Sequence, residues 1–90
     1  MRDVQVHLLP ELAPPGRLVG GIAVAIDVLR ATTTMIYAFA AGVREIRPCA
    51  DVAEARQLAA NLPAGKALLA GERGGIPLDG FDLGNSPSEY

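Results

Sequence analysis

The sequence holds one cysteine, one histidine, no tryptophan, two Tyr and two Phe. A lone Cys49 makes no internal disulfide, so the chain is not a disulfide scaffold and is expected in a reducing cytoplasm. With no arginine at the spacing a cysteine phosphatase loop needs, Cys49 reads as a small buried hydrophobe, and His7, with no second histidine to join it, reads as a strand residue. The longest apolar stretch, Ile22 to Leu29, is broken by Asp27 and falls far short of the roughly 18 to 20 residues that span a bilayer. No basic region followed by an apolar core and a cleavage site marks the amino terminus, so no membrane partner is expected. A formal net charge of -2 with scattered arginines gives no basic stripe of the kind that nucleic acid demands. The phosphate-binding Gly-x-x-x-x-Gly-Lys-Ser/Thr and strand-linked Gly-x-Gly-x-x-Gly motifs are missing, which removes support for nucleotide use. An Asp-x-Asp phosphatase motif fails because Leu29 stands at its second acidic position.

What remains is a chain of 90 residues, 50% apolar and 20% charged, whose core has to come from Ala, Val, Leu and Ile. Val4, Val6 and Leu8 alternate with polar neighbours, the period of a strand covered on one face. Pro10, Pro14, Pro15 and Gly16 break regular structure, and Gly20-Gly21 lead into Ile22 to Val28, apolar on both sides and so read as a central strand. A helix over about 32 to 41 follows, capped by Thr32 or a neighbouring threonine, with Ile36, Phe39, Ala40 and Val43 on one stripe and Gly42 as its stop. Arg44 to Cys49 is a short strand, Asp51 to Leu62 a helix opened by an Asp51/Glu54 capping box, and Ala67 to Ala70 a last strand. This β-β-α-β-α-β order implies a mainly parallel sheet with flanking helices, an incomplete three-layer α/β domain. Residues 1–90 are then a single domain or the amino-terminal fragment of a larger one, because a glycine-rich polar loop is held by scaffold on both sides. A sheet edge left open at that end would favour a homo-oligomer.

Two polar clusters hang from the carboxyl ends of the predicted strands, the edge at which open α/β sheets bind ligands. The first is Asp27-Val28-Leu29-Arg30-Ala31-Thr32-Thr33-Thr34; the second lies in Gly71 to Tyr90 and carries Glu72, Arg73, Asp82, Asn85 and Ser86 among five glycines. Asp27 and Glu72 on adjacent strands would share a hard divalent cation such as Mg²⁺, which commonly takes one or two carboxylates and keeps several waters. Either one taken singly is an ordinary helix cap or loop ion-pair residue. Thr32, Thr33 and Thr34 at a helix start favour a phosphate or sulfonate group, though one of them serves as the N-cap. Arg30 is equally well read as a clamp on that oxyanion or as a surface partner of Glu72. Gly74-Gly75 and Asp79-Gly80 are ordinary turn signals.

The strings Asp27 to Thr34, Gly71-Glu72-Arg73-Gly74-Gly75 and Gly80-Phe81-Asp82-Leu83-Gly84-Asn85-Ser86-Pro87 resemble the 2-phosphosulfolactate phosphatase family over most of residues 22 to 90. The likeness is to the amino-terminal part of a longer family chain, whose later Thr-Thr-Asn-Gly-Thr-like loop has no counterpart here. It implies a Mg²⁺-dependent phosphatase that releases phosphate from 2-phosphosulfolactate, or a related phosphorylated hydroxy acid, on the way to coenzyme M. We read Asp27, Glu72 and Asp82 as catalytic, with the metal held by Asp27 and Glu72 or by one of them with Asp82. Arg30, Thr32, Thr33, Thr34, Arg73, Asn85 and Ser86 contact the small anionic substrate. A non-catalytic anion-binding fragment and a structural α/β module are the alternatives.

Overall fold

The protein is described by a computed structural model over residues 3–90. Helix α1 spans Ala31–Ala40 and helix α2 spans Val52–Ala60, while the strands β1, Glu72–Arg73, and β2, Ile76–Pro77, form a two-stranded antiparallel sheet. Short 3-10 turns occupy Pro10–Leu12 and Pro87–Glu89. Among the described residues no helix is long and apolar enough to cross a membrane.

Helix α1 starts against local preference, since three consecutive β-branched threonines follow its first alanine. Part of this is offset where Thr33 Oγ1 donates to the upstream Val28 O, while Thr34 Oγ1 lies within hydrogen-bond distance of Arg30 O. No threonine is the N-cap; Arg30 sits there, and the Asp27 carboxylate accepts the Ala31 N–H instead. The helix ends as expected at Gly42, whose φ of 105° only glycine adopts cheaply. Gly42 N–H then bonds Phe39 O and Val43 N–H bonds Ala38 O, a Schellman closure. The buried stripe differs from the expected one: Thr34 and Ala38 are buried, whereas Ile36 and Phe39 are 61% and 50% exposed. The reason is the partner. The helix packs against the small Pro87–Glu89 turn, which accommodates Thr34 and Ala38, spaced i and i+4.

Helix α2 follows its sequence signals closely. Asp51 accepts the Glu54 N–H at 2.8 Å, and the Glu54 carboxylate turns back to the Ala50 N–H at 3.0 Å, so two otherwise orphan amides are satisfied reciprocally.

The mainly parallel β-β-α-β-α-β sheet is not formed. Residues 4–7, 22–27, 44–49 and 67–69 carry no regular structure and no ladder, and the parallel pairing reduces to one bridge between Ala70 and Leu83. The antiparallel β1–β2 pair arises instead at Gly74-Gly75, both with positive φ, the two-residue turn that matches strand twist. A parallel sheet is stable when both of its faces are covered, and here Ile22, Val24, Ile26 and Val28 are 74 to 93% exposed. The accessible surface is 7735 Å², against roughly 5000 Å² for a compact chain of this mass. The periodicity that reads as strand is therefore present, but the neighbours that turn it into sheet are not. Arg47 and Glu45, two residues apart in one such segment, pair with each other, both side chains exposed.

The final residues form a hook. The Glu89 carboxylate accepts the Gly84 and Ser86 N–H groups at 3.0 and 3.1 Å, and the Tyr90 hydroxyl donates to Gly84 O at 3.2 Å. A Cβ at Gly84 would stand 2.8 Å from Glu89 Oε2, so a larger residue there would push the Glu89 carboxylate aside.

Two predictions follow from these closures. Asp51→Ala is expected to cost α2 about 1 kcal/mol of local stability, read as faster hydrogen exchange of the Glu54 amide with α1 amides unchanged. Partial burial, reinforced by the neighbouring Glu89 carboxylate, raises the Tyr90 phenol above its ordinary value of 10.0. Its contribution to the hook is thus complete below that ordinary value and lost as pH rises through the folded one. In a Tyr37→Phe background, which leaves one phenol, the phenolate absorbance should titrate above the ordinary tyrosine range, with the Gly84 carbonyl carbon resonance moving in step.

Candidate functional site

The site is assembled by a tie between the run that ends at Ala70 and the segment around Leu83. Asp82 and Leu83 N–H both donate to Leu69 O, Gly71 N–H donates to Leu83 O, and the Asp82 carboxylate accepts the Leu69 N–H at 2.8 Å. The tie closes the loop that contains β1 and β2, so that Glu72 and Asn85 emerge together. Opposite them stand the residues leading into α1. Between the two lies an open cavity of about 470 Å³ lined by Asp27, Leu29, Arg30, Glu72, Gly75 and Asn85.

Each carboxylate of the cavity uses one oxygen to hold its own loop. Asp27 Oδ2 accepts the Ala31 N–H at 3.3 Å, while the Asp27 carbonyl takes the Thr32 N–H. Glu72 Oε2 accepts the Gly75 N–H at 2.6 Å. Among the described residues neither second oxygen carries a hydrogen bond, and Arg30 has no ion-pair partner, the one side-chain ion pair being Arg47 with Glu45. Arg30 therefore does not pair with Glu72, although both line the same cavity. Two carboxylates against one guanidinium leave this rim with an excess of negative charge. An anion would be repelled unless a cation joined it, and a divalent ion suits the donor set, since Mg²⁺ takes one or two carboxylates and completes its shell with water. Among the described residues no group of three or more His, Cys, Asp and Glu side chains gathers into a closed metal cluster.

Of the ten residues singled out from the sequence, Asp27, Arg30, Glu72 and Asn85 meet in the cavity. The other six lie outside its lining. Asp82 is engaged by Leu69 N–H, and the Arg73 guanidinium spans Glu72 O at 3.1 Å and Ala50 O at 2.9 Å, fastening β1 to the start of α2. Thr32 contributes its backbone to the helix start, and Thr33 is turned back to Val28 O. Thr34 is buried, with its hydroxyl between Arg30 O and Asn85 O. Ser86 Oγ shares a hydrogen bond with Ser88 Oγ at 2.9 Å. Sequence reasoning passed over Leu29, Gly75 and Glu89. Gly75, read as an ordinary turn residue, presents at φ 76° the amide that fixes Glu72. The Ser86-x-x-Glu89 spacing is itself a capping signal that could have revealed Glu89. Arg56, also unremarked, donates to Asp79 O at 2.7 Å and lies 5.9 Å over the Phe81 ring, holding the far side of the loop to α2.

Known proteins resemble this chain along most of its length. The family described as 2-phosphosulpholactate phosphatase matches residues 7–90. A probable 2-phosphosulfolactate phosphatase of Synechococcus sp. (strain JA-3-3Ab) is 53% identical over 81 residues, covering 90% of this chain and 33% of the relative. The protein of that name from Cyanothece sp. (strain PCC 7425 / ATCC 29141) is 46% identical over 82 residues, or 91% of this chain and 33% of the relative. That from Carboxydothermus hydrogenoformans is 55% identical over 67 residues, or 74% of this chain and 27% of the relative. The chain thus spans about a third of the length of the curated relatives it matches. No solved structure matches it. The residues at the cavity come from the same strings that carry the family likeness, and with the match extending from residue 7 to residue 90 the chain belongs to the 2-phosphosulfolactate phosphatase family.

Proposed function

We propose that this chain carries the substrate-holding part of a Mg²⁺-dependent phosphatase acting on the phosphomonoester of 2-phosphosulfolactate, giving sulfolactate and phosphate. The observation that supports this most directly is that Arg30, without an ion-pair partner among the described residues, lines one cavity together with two half-satisfied carboxylates, in a chain of this family. In the reaction water adds to phosphorus, the bond from phosphorus to the substrate oxygen breaks, and that oxygen leaves with a proton. Asp27 and Glu72 would hold the ion, which when bound supplies Lewis-acid charge to the phosphoryl group. Arg30 offsets the charge that spreads over the phosphoryl oxygens, in a fork geometry that a lysine would not provide. Asn85, neutral and able both to donate and to accept, suits an oxygen of the organic acid. Water is the preferred nucleophile over Ser86, whose hydroxyl is paired with Ser88 and does not line the cavity. Asp82 and Arg73 shape the loop that presents Glu72.

A second reading, anion binding without turnover, is favoured by the openness of the site, because Asp27 and Arg30 lie exposed at its rim. Charges screened by water stabilise a transition state far less than charges in a dry site.

Phosphate release from 2-phosphosulfolactate and from a generic phosphomonoester, with Mg²⁺ and with chelator, separates the two readings. Turnover is expected with Mg²⁺ and not with chelator. Arg30→Gln should lower kcat by about a hundredfold, and Asp27→Asn should raise the Mg²⁺ concentration needed for half-maximal rate. Turnover undiminished in both variants would remove these residues from the site. Phosphate binding with no release under any condition would leave the second reading standing.

A further inference from the structure

We propose that Thr34 is a positioning residue: its hydroxyl latches the Asn85 loop to the first turn of α1 and so sets the two walls of the cavity relative to each other. The inference rests on the reading of that cavity as the anion site. Thr34 is 5% exposed, one of two buried residues in the described chain. Its Oγ1 lies 2.9 Å from Arg30 O and 3.1 Å from Asn85 O, and a threonine hydroxyl has one proton to donate.

The two acceptors are not equivalent. Arg30 O already receives the Thr34 backbone N–H at 2.9 Å, so the hydroxyl adds little there. Among the described residues Asn85 O has no other donor. An acceptor held against a buried surface costs free energy when it loses its partner, so the bond to Asn85 is the one that matters energetically. It is also the side-chain hydrogen bond that joins α1 to the second polar cluster, 51 residues away. Every other hydrogen bond of the hook is internal to it, and those of Asp82 and Leu83 just before it run to residues 69 and 71. Arg30 and Asn85, the two acceptor residues, both line the cavity, whereas Thr34 does not. One hydroxyl behind the cavity thereby touches the backbone of a residue on each wall.

The test uses the 90-residue chain with Thr34→Val, which keeps the shape and removes the hydroxyl, and Thr34→Ser, which keeps the hydroxyl. The first readout is NMR of the Asn85 carbonyl carbon and its side-chain amide; the second is titration with inorganic phosphate in the presence of Mg²⁺. In the valine variant the Asn85 resonances are expected to move, with phosphate binding about fivefold weaker, while the serine variant stays near the parent on both. Should the valine variant lose α1 helicity, the comparison of Thr34→Ser with Thr34→Ala, which differ in the hydroxyl alone, gives the same readouts. Asn85 resonances that do not depend on the hydroxyl would overturn the latch, as would resonances that move while phosphate binds equally well in every variant. A parent chain that binds no phosphate, but whose Asn85 resonances respond to loss of the hydroxyl, would support the latch and overturn the anion-site reading.

Discussion

The tie between residues 69–71 and 82–83 is the constraint on which the rest of this architecture depends. It consists of three backbone hydrogen bonds and one from Leu69 N–H to the Asp82 carboxylate. Its span is short, so little loop-closure entropy opposes it. By closing there, the chain forces β1 and β2 into a hairpin and turns the following segment toward α1. Glu72 and Asn85, thirteen positions apart in sequence, then line one cavity with Asp27 and Arg30. Arg56 on Phe81 and Asp79, and Arg73 on Ala50, brace the same loop from the side of α2. The polar residues of this region divide between closing the loop and facing the cavity.

That division explains what was legible in the sequence. The strings containing Asp27, Arg30, Glu72 and Asn85 stand out because so many polar groups among glycines have no use in a core. Which of them face a ligand and which hold backbone is not written in residue type. Asp82 and Asp27 are the same side chain, each accepting a backbone amide, and only the register of the tie decides that Asp82 is turned inward to Leu69. Local signals read well for the same reason that they are local. The Asp51/Glu54 box and the Gly42 stop each involve atoms within five residues, so no distant partner can overrule them. The sheet was misread because strand propensity describes how a side chain fits a covered, pleated surface. Ile22, Val24, Ile26 and Val28 have that character without the cover. The helix stripe was misplaced by a similar assumption: the largest apolar residues were assigned to the buried face, while the contact available to α1 is small and selects Thr34 and Ala38.

The carboxylates show how a loop can be both preorganised and reactive. Asp27 and Glu72 each anchor one oxygen on an amide close by in sequence, which fixes the side chain at little entropic cost. The second oxygen stays available. Fixing these side chains by such local bonds makes their placement depend on the conformation of a few residues rather than on a large core, which suits a chain that buries little surface. Gly75 is integral to this arrangement, because the positive φ that brings its amide to Glu72 is also what closes the hairpin.

The balance of charge then separates holding an anion from transforming it. Arg30 lines the cavity with two carboxylates, so an anion would gain attraction at this rim only if a divalent cation reversed its sign. That reversal is enough for association, since charges at an exposed surface attract an ion even through water, weakly and with strong dependence on salt. Acceleration asks for more, because only interactions that strengthen in the transition state lower the barrier. Water-exposed charges respond to a developing oxyanion little more than solvent does, whereas the same groups in a dry site are worth far more. A cavity bounded by Leu29 on one wall, with Ile26 and Val28 exposed just upstream in the chain, offers apolar surface close to the charged groups. Its exposure keeps water around Asp27 and Arg30, and that screening is the physical difference between attracting an anion and stabilising a transition state.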